Sequence, residues 1–420
     1  MKLLINFCGH DGIISHYAGV GTIVRRYIEV IEYLLNEKNI DYHLNLFTLE
    51  FNKDSMGYNE QIWNEHKNLK NSTIYICSNN TNGETSFGNI YNWRCASSNV
   101  AKIINQIDFD NYDYVITFAN DTPFAGLLQL IKEANNSIKV WIPHSTGKIY
   151  NEDMSLSEEN QTQNERIKWE QDAINYINNH YNSYLISTGK YIRNHIIKEY
   201  SLEESKNIDI INGELLYRNN LYEQNDRMKE ILFELEKYDS IIISLGRAEK
   251  YKNLDKTMLL GSKLGVKPVV ITQQYFKNQP IVSEYKELAK KTNAILYVDE
   301  PFSLPQYIIK NFSKKMIMLI PSEREIFGLV INEMRRFNKD NVLIVANNRG
   351  GLTEQINDGI DGVLVDLDDI ENSAKKVSKY FNFVTMKTLN NEGQKRLLDD
   401  YDLVKNFDAF FKKVLGEEYE

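Results

Sequence analysis

Short apolar runs alternate along this chain with longer segments in which apolar residues recur at helical spacing. Residues 2–7 (KLLINF) form one such run, and the apolar residues within 22–35 then repeat with the period of an amphipathic helix. The same unit returns where the run 114–118 (YVITF) precedes a helical stretch at 127–131. Further runs lie at 140–142 and 184–187. Alternating strands and helices of this kind predict a parallel sheet.

The pattern is interrupted once, near the middle of the chain. After the apolar run 208–211 and the turn pair Asn212 and Gly213, a polar stretch without periodicity leads to the run 240–245 (SIIISL). Further strand candidates, with helical patterns between them, follow at 268–272, 294–298, 316–320, 341–346 and 362–365. Both halves of the chain therefore repeat the alternation of strand and helix.

This repetition predicts two doubly wound α/β domains with parallel sheets, formed by residues 1–213 and 214–395. Residues 396–420 are predicted to be a C-terminal helix that packs back on the first domain. The length of 420 residues agrees with two domains, because single cores rarely grow beyond about 250–300 residues. Such sheets bind ligands beyond the carboxyl ends of their strands, which makes those loops the place to expect chemistry. The insert-like region 51–98 matches no element that we can assign.

Composition and charge narrow the class of protein. Hydrophobic residues make up 42% and charged residues 25%, as in ordinary globular domains. The formal net charge is −9 and no run of lysines and arginines occurs, so nucleic acid is not a predicted partner. The 3 cysteines lack paired spacing, and the N-terminal apolar run is too short for a signal peptide. The cytoplasm is the expected location, and a peripheral membrane contact stays open.

The most informative motif is PSEREIFGLVINE at residues 321–333, which begins at the end of an apolar strand and runs into a helix. It contains two glutamates, Glu325 and Glu333. Carboxylates accept strong hydrogen bonds from vicinal hydroxyls, which a sugar donor presents. The alternative interpretation is two surface carboxylates near a helix start, where the helix dipole favours negative charge.

The order Pro-Ser, Glu-x-Phe-Gly and a second glutamate resembles the signature of glycosyltransferase family 4. The resemblance implies the GT-B fold, in which two Rossmann-like domains face each other across a cleft. It also implies that Glu325 holds hydroxyls of the donor sugar and that Glu333 holds those of the ribose. The helix that opens between them has amides that can face a diphosphate. The donor-binding residues of this segment are then Ile326, Phe327, Gly328 and Leu329.

A second motif, SLGRAEKYKNLD at residues 244–255, follows a strand and carries Arg247 and Lys252. Family 4 enzymes have Gly-Arg and then Lys-Gly at this spacing, so Asn253 replaces a glycine here. The resemblance implies that Arg247 and Lys252 bind the donor and neutralise charge on the departing diphosphate, as a metal ion does in other enzymes. We therefore expect neither a metal ion nor a cofactor. Taken alone, such a basic pair is more often merely solvated.

A third stretch, residues 346–366 (ANNRGGLTEQINDGIDGVLVD), matches the family's succession of strand, Gly-Gly, Glu and Asp-Gly in order and spacing. Gly350 and Gly351 are predicted to allow a close backbone approach at a loop. Thr353 and Glu354 are predicted to begin a helix whose amides face the donor. A plain turn is the alternative.

The first half of the chain carries weaker signals of the same resemblance. Gly19 and Gly21 lie between the first strand and helix, where the family places a glycine loop near the donor phosphate. His144, which follows an apolar run, resembles the family's histidine that contacts the donor sugar. The predicted catalytic residues are Arg247, Lys252, Glu325 and His144. Acceptor contacts are expected from His16, Asn120 and Asp121.

Together these motifs predict a retaining, metal-independent hexosyltransferase that uses a nucleotide-diphosphate sugar. UDP is the expected nucleotide because it is frequent among such enzymes. The acceptor, whether glycan, lipid, peptide or small metabolite, cannot be read, since the first half holds only general motifs. One alternative is a catalytically silent accessory subunit or carbohydrate-binding partner with the same fold. Another is a nucleotide-sugar epimerase, which the paired glutamates disfavour.

Overall fold

The computed structural model describes residues 1–16, 18–54, 57–81, 83, 89–151, 158–218, 224–274, 276–301, 303–337 and 339–419. The chain divides into two compact units. Unit 1 consists of Met1–Leu215 and Leu403–Glu420, and unit 2 consists of Leu216–Asp402. Each unit contains a parallel sheet of its own.

Strands and helices alternate through both units. The strands are β1 (Lys2–Cys8), β2 (Asp41–Leu49), β3 (Ser72–Cys77), β4 (Tyr114–Asn120), β5 (Ser137–Ile142), β6 (Ser183–Ser187), β7 (Asn207–Asp209), β8 (Ser240–Arg247), β9 (Lys267–Gln273), β10 (Ile295–Val298), β11 (Lys315–Ile320), β12 (Val342–Asn347) and β13 (Val363–Val365). The helices are α1 (Gly19–Glu37), α2 (Glu60–Lys67), α3 (Ile90–Ile104), α4 (Leu127–Leu130), α5 (Gly147–Asn151), α6 (Glu158–Asn179), α7 (Lys190–Tyr200), α8 (Asp226–Leu235), α9 (Leu254–Leu264), α10 (Pro280–Thr292), α11 (Leu304–Asn311), α12 (Leu329–Phe337), α13 (Leu352–Gln355), α14 (Ile370–Tyr380), α15 (Phe383–Asp400) and α16 (Leu403–Leu415). Short 3-10 turns lie at Phe109–Asn111, Thr122–Phe124, Glu204–Lys206, Lys250–Lys252 and Gly416–Tyr419.

The sheet of unit 1 has the strand order β3-β2-β1-β4-β5-β6-β7, and all of its strand pairs are parallel. The chain winds outward from β1 to β3 and then crosses to β4 on the other side of β1. This reversal makes the sheet doubly wound and places a topological switch point between β1 and β4.

A row of polar side chains crosses the middle of this sheet. Asn45 Nδ2 donates to Asn6 Oδ1 at 3.0 Å, and Asn6 Nδ2 donates to Thr117 Oγ1 at 3.2 Å. The three residues are directly opposite one another on β2, β1 and β4, and all are buried. Because each group finds its partner on the next strand, the sheet accepts polar residues in its interior. We call this row the Asn-Thr ladder.

The sheet of unit 2 repeats the arrangement with the order β10-β9-β8-β11-β12-β13, again with parallel pairs only. Its switch point lies between β8 and β11. The strands are apolar on both faces: Ile241 and Ile243 of β8 join one core cluster, and Ile242 joins a second one. Helices cover both faces, which is why these strands read as continuous apolar runs. The predicted class, two doubly wound α/β sheets, is confirmed.

Three regions differ from the sequence predictions, and the first is β2, which no predicted strand covers. The region 51–98 contains α2, β3 and the first turns of α3, so it supplies an edge strand of the sheet rather than an insertion. The predicted helix over 396–420 is interrupted, because α15 ends at Asp400 and α16 begins at Leu403. This interruption coincides with the return of the chain from unit 2 to unit 1.

Candidate active site

Two loops of unit 2 meet where the strand order of its sheet reverses. Strands β8 and β11 are neighbours, and the chain leaves them at Arg247 and Ile320. Open α/β sheets bind ligands at such a switch point. The loop after β8 carries Lys252, and the loop after β11 carries Glu325. The residues predicted from the two motifs therefore lie at the expected place in the sheet.

Lys252 and Glu325 form an ion pair that joins these loops. Lys252 Nζ donates to Glu325 Oε1, and the two side chains are only 16% and 22% exposed. The backbones are joined as well, since the amide of Glu323 donates to the carbonyl oxygen of Tyr251 at 2.9 Å. The fold thus places a cation and a carboxylate from two separate motifs in direct contact.

Arg247 occupies the last position of β8, beside two side chains of the following loop. Its Nη2 donates to the Tyr251 hydroxyl at 3.1 Å and lies 3.3 Å from Glu249 Oε2. Lys252 ends the next 3-10 turn, and Asn253 after it has φ 49° and ψ 37°. This left-handed conformation favours glycine, and asparagine is one of the few other residues that adopt it readily. Asn253 is therefore suited to a position where family 4 has glycine.

The Gly-Gly pair packs directly on the backbone that carries Glu325. The amide of Gly351 donates to the carbonyl oxygen of Glu325 at 2.7 Å. A Cβ on Gly350 would lie 2.6 Å from that oxygen, and a Cβ on Gly351 would lie 1.9 Å from the carbonyl oxygen of Ile326. Only glycine permits this approach, which the sequence predicted. Gly328, with φ 79°, is a third glycine whose backbone conformation other residues rarely adopt.

Residues 326–333 lead into and form the first part of α12, and their side chains differ in exposure. Phe327 is buried, with its ring centroid 5.9 Å from that of Tyr401, so its side chain belongs to the core. Ile326 and Leu329 are half-buried. Glu333 lies in the second turn of α12 and is half-buried as well. Phe327 can therefore contribute its backbone to a ligand, whereas Glu333 is only partly covered by the rest of the unit.

A buried charge cluster anchors α12, and the sequence analysis did not predict it. Asp361 Oδ1 accepts from Arg335 Nη2 at 3.0 Å, and its Oδ2 accepts from Arg396 Nη1 at 3.1 Å. Both arginines also donate to the carbonyl oxygen of Gln355, at 2.8 and 2.9 Å. Burial lowers the pKa of Arg335, and the nearby Asp361 opposes that shift. The cluster ties α12, α13 and α15 together through the aspartate of the predicted Asp-Gly pair.

In unit 1, His10 and Asp121 lie at the switch point between β1 and β4. His10 Nε2 is 3.8 Å from Asp121 Oδ2, and both residues are more than nine-tenths buried. Asp121 has φ 65° and ψ 179°. This region is almost restricted to glycine, and a residue held there costs about 1–3 kcal/mol. Strained residues of this kind cluster at functional sites, which agrees with the prediction for Asp121 and adds His10, which the sequence analysis missed.

His144 follows β5 and is 7% exposed. Burial lowers its pKa to about 4, while Asp121 raises it and His10 lowers it. Neither ring nitrogen has a hydrogen-bond partner among the residues that the structure describes. A neutral imidazole with two such nitrogens can both donate to and accept from hydroxyl groups.

Asn120, the last residue of β4, has a different environment. Its side chain has no exposed surface, and its Nδ2 donates to the carbonyl oxygen of Cys8 at 2.9 Å. The side chain thus joins β4 to β1. Of the two adjacent residues predicted to contact the acceptor, the structure supports Asp121 better than Asn120.

Gly19 and Gly21, which were predicted to lie in a loop, form the first turn of α1. The loop before this turn is organised by Asp11, a residue that the sequence analysis did not identify. Its carboxylate accepts from the amides of Gly12 at 2.9 Å and Ala18 at 3.0 Å. A Cβ on Gly21 would lie 2.5 Å from Asp11 Oδ2, so this position requires glycine. Gly19, in contrast, has nothing within 4 Å of such a Cβ. The signal that could have revealed Asp11 is its place between two glycines after a strand.

His16, in the same loop, is held by α1. Its Nε2 lies 2.9 Å from Thr22 Oγ1, and the residue is partly exposed.

A fully buried glutamate holds the loops after β4 and β5. Glu170 of α6 accepts from the amide of Gly147 at 2.9 Å, the Tyr200 hydroxyl at 2.6 Å and Arg166 Nε at 2.6 Å. It also lies 3.3 Å from Thr122 Oγ1. Thr122 and Gly147 follow Asp121 and His144 closely in the chain. The apolar stripe of α6 could not reveal this role, because periodicity does not distinguish a buried carboxylate from an exposed one.

Residues 227–395 match the family described as "Glycosyl transferases group 1". The second unit carries a glycosyltransferase group 1 domain. A Klebsiella pneumoniae protein described as "Uncharacterized 41.2 kDa protein in cps region" is 33% identical over 140 residues, which are 32% of this chain and 35% of that protein. The matched segment thus spans about a third of that curated relative's length.

Solved structures resemble the chain over nearly its full length, beyond the group 1 domain. The sucrose-phosphate synthase of Thermosynechococcus elongatus has a TM-score of 0.71 and 13% identity, with 98% of this chain and 99% of that chain covered. Anabaena Alr3699/HepE, in complex with UDP and glucose, has a TM-score of 0.66 and 15% identity, with 99% and 100% covered. An E. coli structure described as "Trehalose-6-phosphate … bound with UDP-2-fluoro glucose" has a TM-score of 0.67 and 12% identity, with 99% of each covered. These similarities establish the fold, two Rossmann-like domains of the GT-B type.

In the described part of the chain, no three histidine, cysteine, aspartate or glutamate residues are grouped so that they could hold a metal ion. Nor does any helix there have the length and apolar character that crossing a membrane requires.

Proposed function

We propose that this chain is a retaining, metal-independent glycosyltransferase that moves a hexose from a UDP-sugar to an acceptor. The observation that carries the proposal is the contact between Lys252 and Glu325 at the switch point of the group 1 domain. It brings a cation for the diphosphate next to a carboxylate for the sugar. The names of the structural neighbours include UDP and UDP-2-fluoro glucose as bound ligands, which supports UDP as the nucleotide.

Each residue of the site then has a role that follows from its position. Arg247 and Lys252 bind the β-phosphate, and the amides at the start of α12 add partial positive charge. Glu325 accepts hydrogen bonds from donor-sugar hydroxyls, and Glu333 accepts them from the ribose. His144, neutral because burial lowers its pKa, exchanges hydrogen bonds with the sugar or the acceptor. Gly19 and Gly21 lie in the first turn of α1, and His16 and Asp121 lie in loops of unit 1. We assign these positions to the donor phosphate and the acceptor.

In the reaction, the bond between the anomeric carbon and the diphosphate oxygen breaks as an acceptor oxygen bonds to the same carbon from the same face. The nucleoside diphosphate leaves with the electron pair of the broken bond. The donor phosphate helps to accept the proton of the acceptor hydroxyl, so no protein base is assigned. Charge develops on the leaving oxygen, and the fixed cations Arg247 and Lys252 stabilise it, which lowers the barrier.

The first test is a thermal-shift screen of the full chain with nucleoside diphosphates. A ligand that binds only the folded state at 100 times its Kd stabilises the protein by about 2.7 kcal/mol. We expect UDP to raise the melting temperature more than GDP or ADP does. Slow hydrolysis of UDP-glucose should accompany binding. The absence of stabilisation by every nucleoside diphosphate would contradict the proposal, and tight binding without any hydrolysis or transfer would favour the catalytically silent alternative.

A further inference from the structure

The ion pair between Lys252 and Glu325 constrains how the site can bind a diphosphate. A lysine ammonium has three donors but a single charge. A phosphate that binds the Lys252 ammonium therefore competes with the Glu325 carboxylate, which is already bound to it. Glu325 loses hydrogen bonds and charge compensation in that exchange. At 22% exposure, its side chain recovers only part of its hydration.

The neighbouring cation is engaged in a similar way. Arg247 Nη2 lies 3.3 Å from Glu249 Oε2, and the Glu249 side chain is 16% exposed. Each of the two basic residues assigned to the diphosphate thus has a carboxylate from its own unit beside it. The two cations and the two carboxylates beside them carry no net charge together, although the cations are assigned to a ligand with several negative charges.

A nucleotide sugar and a free nucleoside diphosphate place different demands on Glu325. The sugar brings hydroxyl groups, which can replace Lys252 as hydrogen-bond donors to the carboxylate. A free nucleoside diphosphate brings no such donor, and its terminal phosphate adds negative charge near the carboxylate. Glu325 is therefore compensated when the donor binds and uncompensated when the product nucleotide binds.

We infer that Glu325, through its competition for Lys252, selects the sugar-bearing donor over the sugar-free nucleoside diphosphate. This inference rests on the proposed function and extends it to discrimination between substrate and product. After transfer, the carboxylate regains Lys252, and the nucleoside diphosphate dissociates more readily. The same residue thus serves both the binding of the donor and the release of the product.

Calorimetric titration of the full chain with UDP and with UDP-glucose tests the inference. Glu325→Gln keeps the shape of the side chain and removes its charge. We expect this variant to bind UDP about two- to fivefold more tightly, the range for pairs of modest strength. It should bind UDP-glucose more weakly, because a neutral amide accepts weaker hydrogen bonds. The ratio of the Kd for UDP to the Kd for UDP-glucose should therefore fall, because the first constant decreases and the second increases.

A double-mutant cycle identifies Lys252 as the cause. In a Lys252→Gln background, Glu325→Gln should give little or none of the gain in UDP affinity. An equal gain in both backgrounds would show simple charge repulsion and overturn the inference. Glu371→Gln is the matched control, because Glu371 of α14 pairs with Lys263 of α9 and its replacement changes the net charge equally. It should bind both ligands as the parent does.

The outcomes separate this inference from the proposed function. If the parent binds UDP and Glu325→Gln binds it equally or more weakly, selection by Glu325 is wrong and the transferase proposal stands. If the parent binds neither UDP nor UDP-glucose, both are wrong. Thermal unfolding checks that each variant is folded, and Glu325→Ser replaces the glutamine variant if that one does not fold.

Discussion

The two glutamates of the PSEREIFGLVINE motif have different surroundings within unit 2. Glu325 lies in a loop and contacts Lys252, whereas Glu333 lies on α12 above a buried charge cluster. A residue on a helix that is anchored in this way loses little conformational freedom when a ligand binds. This difference supports the proposed assignment of Glu333 to the ribose, a constant part of the donor, and of Glu325 to the sugar that is transferred.

Replacement of Glu333 by alanine should weaken UDP binding. Loss of a charged hydrogen-bond partner typically costs about 1.5–3 kcal/mol, which is a roughly ten- to hundredfold increase in Kd. Calorimetry measures the change directly, and Glu371→Ala provides a control on the surface of the same unit. An unchanged Kd in a folded variant would show that Glu333 does not contact the nucleotide.

His144 should make the stability of the protein depend on pH below neutrality. Its pKa in the folded protein, about 4, lies below its ordinary value of 6.5 because the ring is buried. The unfolded chain binds more protons in this window, so stability is complete above about pH 6.5 and falls as the pH falls towards 4. Near pH 5 the loss amounts to about 2 kcal/mol.

Urea unfolding of the parent and of His144→Gln, at about pH 7.5 and about pH 5, measures this contribution. The glutamine variant should lose less stability than the parent between the two values. Identical losses would mean that His144 titrates normally in the folded protein.

At the scale of elements, the site of unit 2 depends on the contact between the Gly350-Gly351 loop and the backbone of residues 325–326. A methyl group on Gly351 would lie 1.9 Å from the carbonyl oxygen of Ile326. Gly351→Ala must therefore displace one of the two loops, and we expect a loss of about 1–3 kcal/mol in stability together with a lower rate of sugar transfer. Denaturant unfolding measures the first effect.

Gly19→Ala is the comparison for stability, since nothing lies within 4 Å of the added methyl group and alanine favours a helix start over glycine. It should be neutral or stabilising. If Gly351→Ala had the same free energy of unfolding as Gly19→Ala, the two loops would be able to move apart without a loss of stability.

The sequence predicted the elements that follow a simple periodicity and missed those that do not. Strand β8 reads SIIISLGR and was identified, because both faces of its sheet are covered and every position is apolar. Strand β2 reads DYHLNLFTL and was missed, because Asn45 and other polar residues interrupt its apolar pattern. Its buried polar group is satisfied by Asn6 on the neighbouring strand, and no local pattern can show such a partner.

The same distinction holds for the candidate site. Residues in contiguous motifs, such as Lys252 and Glu325, were predicted because their spacing resembles a known signature, and the structure brings these two into contact. Asp11, Glu170 and His10 were not found, because their importance arises from contacts made after folding. Glu170, for example, lies between 23 and 48 residues from the loops that it joins.

For the molecule as a whole, the proposed chemistry needs positive charge only where the diphosphate binds. The chain carries a net charge of −9, and Arg247 and Lys252 are the cations that we assign to the diphosphate under the proposed function. Transfer from UDP-glucose, or its slow hydrolysis, should therefore persist in EDTA at an unchanged rate. Activity that disappears with the chelator and returns with Mg²⁺ or Mn²⁺ would show that the two basic residues do not suffice.

The Asn-Thr ladder has a consequence for how the strands of unit 1 find their alignment. In a parallel sheet with two apolar faces, sliding a strand by two residues replaces apolar neighbours with apolar neighbours, so burial alone distinguishes the alignments poorly. Such a slip would separate Asn6 from Asn45 and Thr117, and each buried group left without a partner costs about 1–3 kcal/mol. The ladder therefore specifies the register in which β2, β1 and β4 pair. His10 and Asp121 follow two of these strands, so their distance from each other is set by amide and hydroxyl groups inside the sheet.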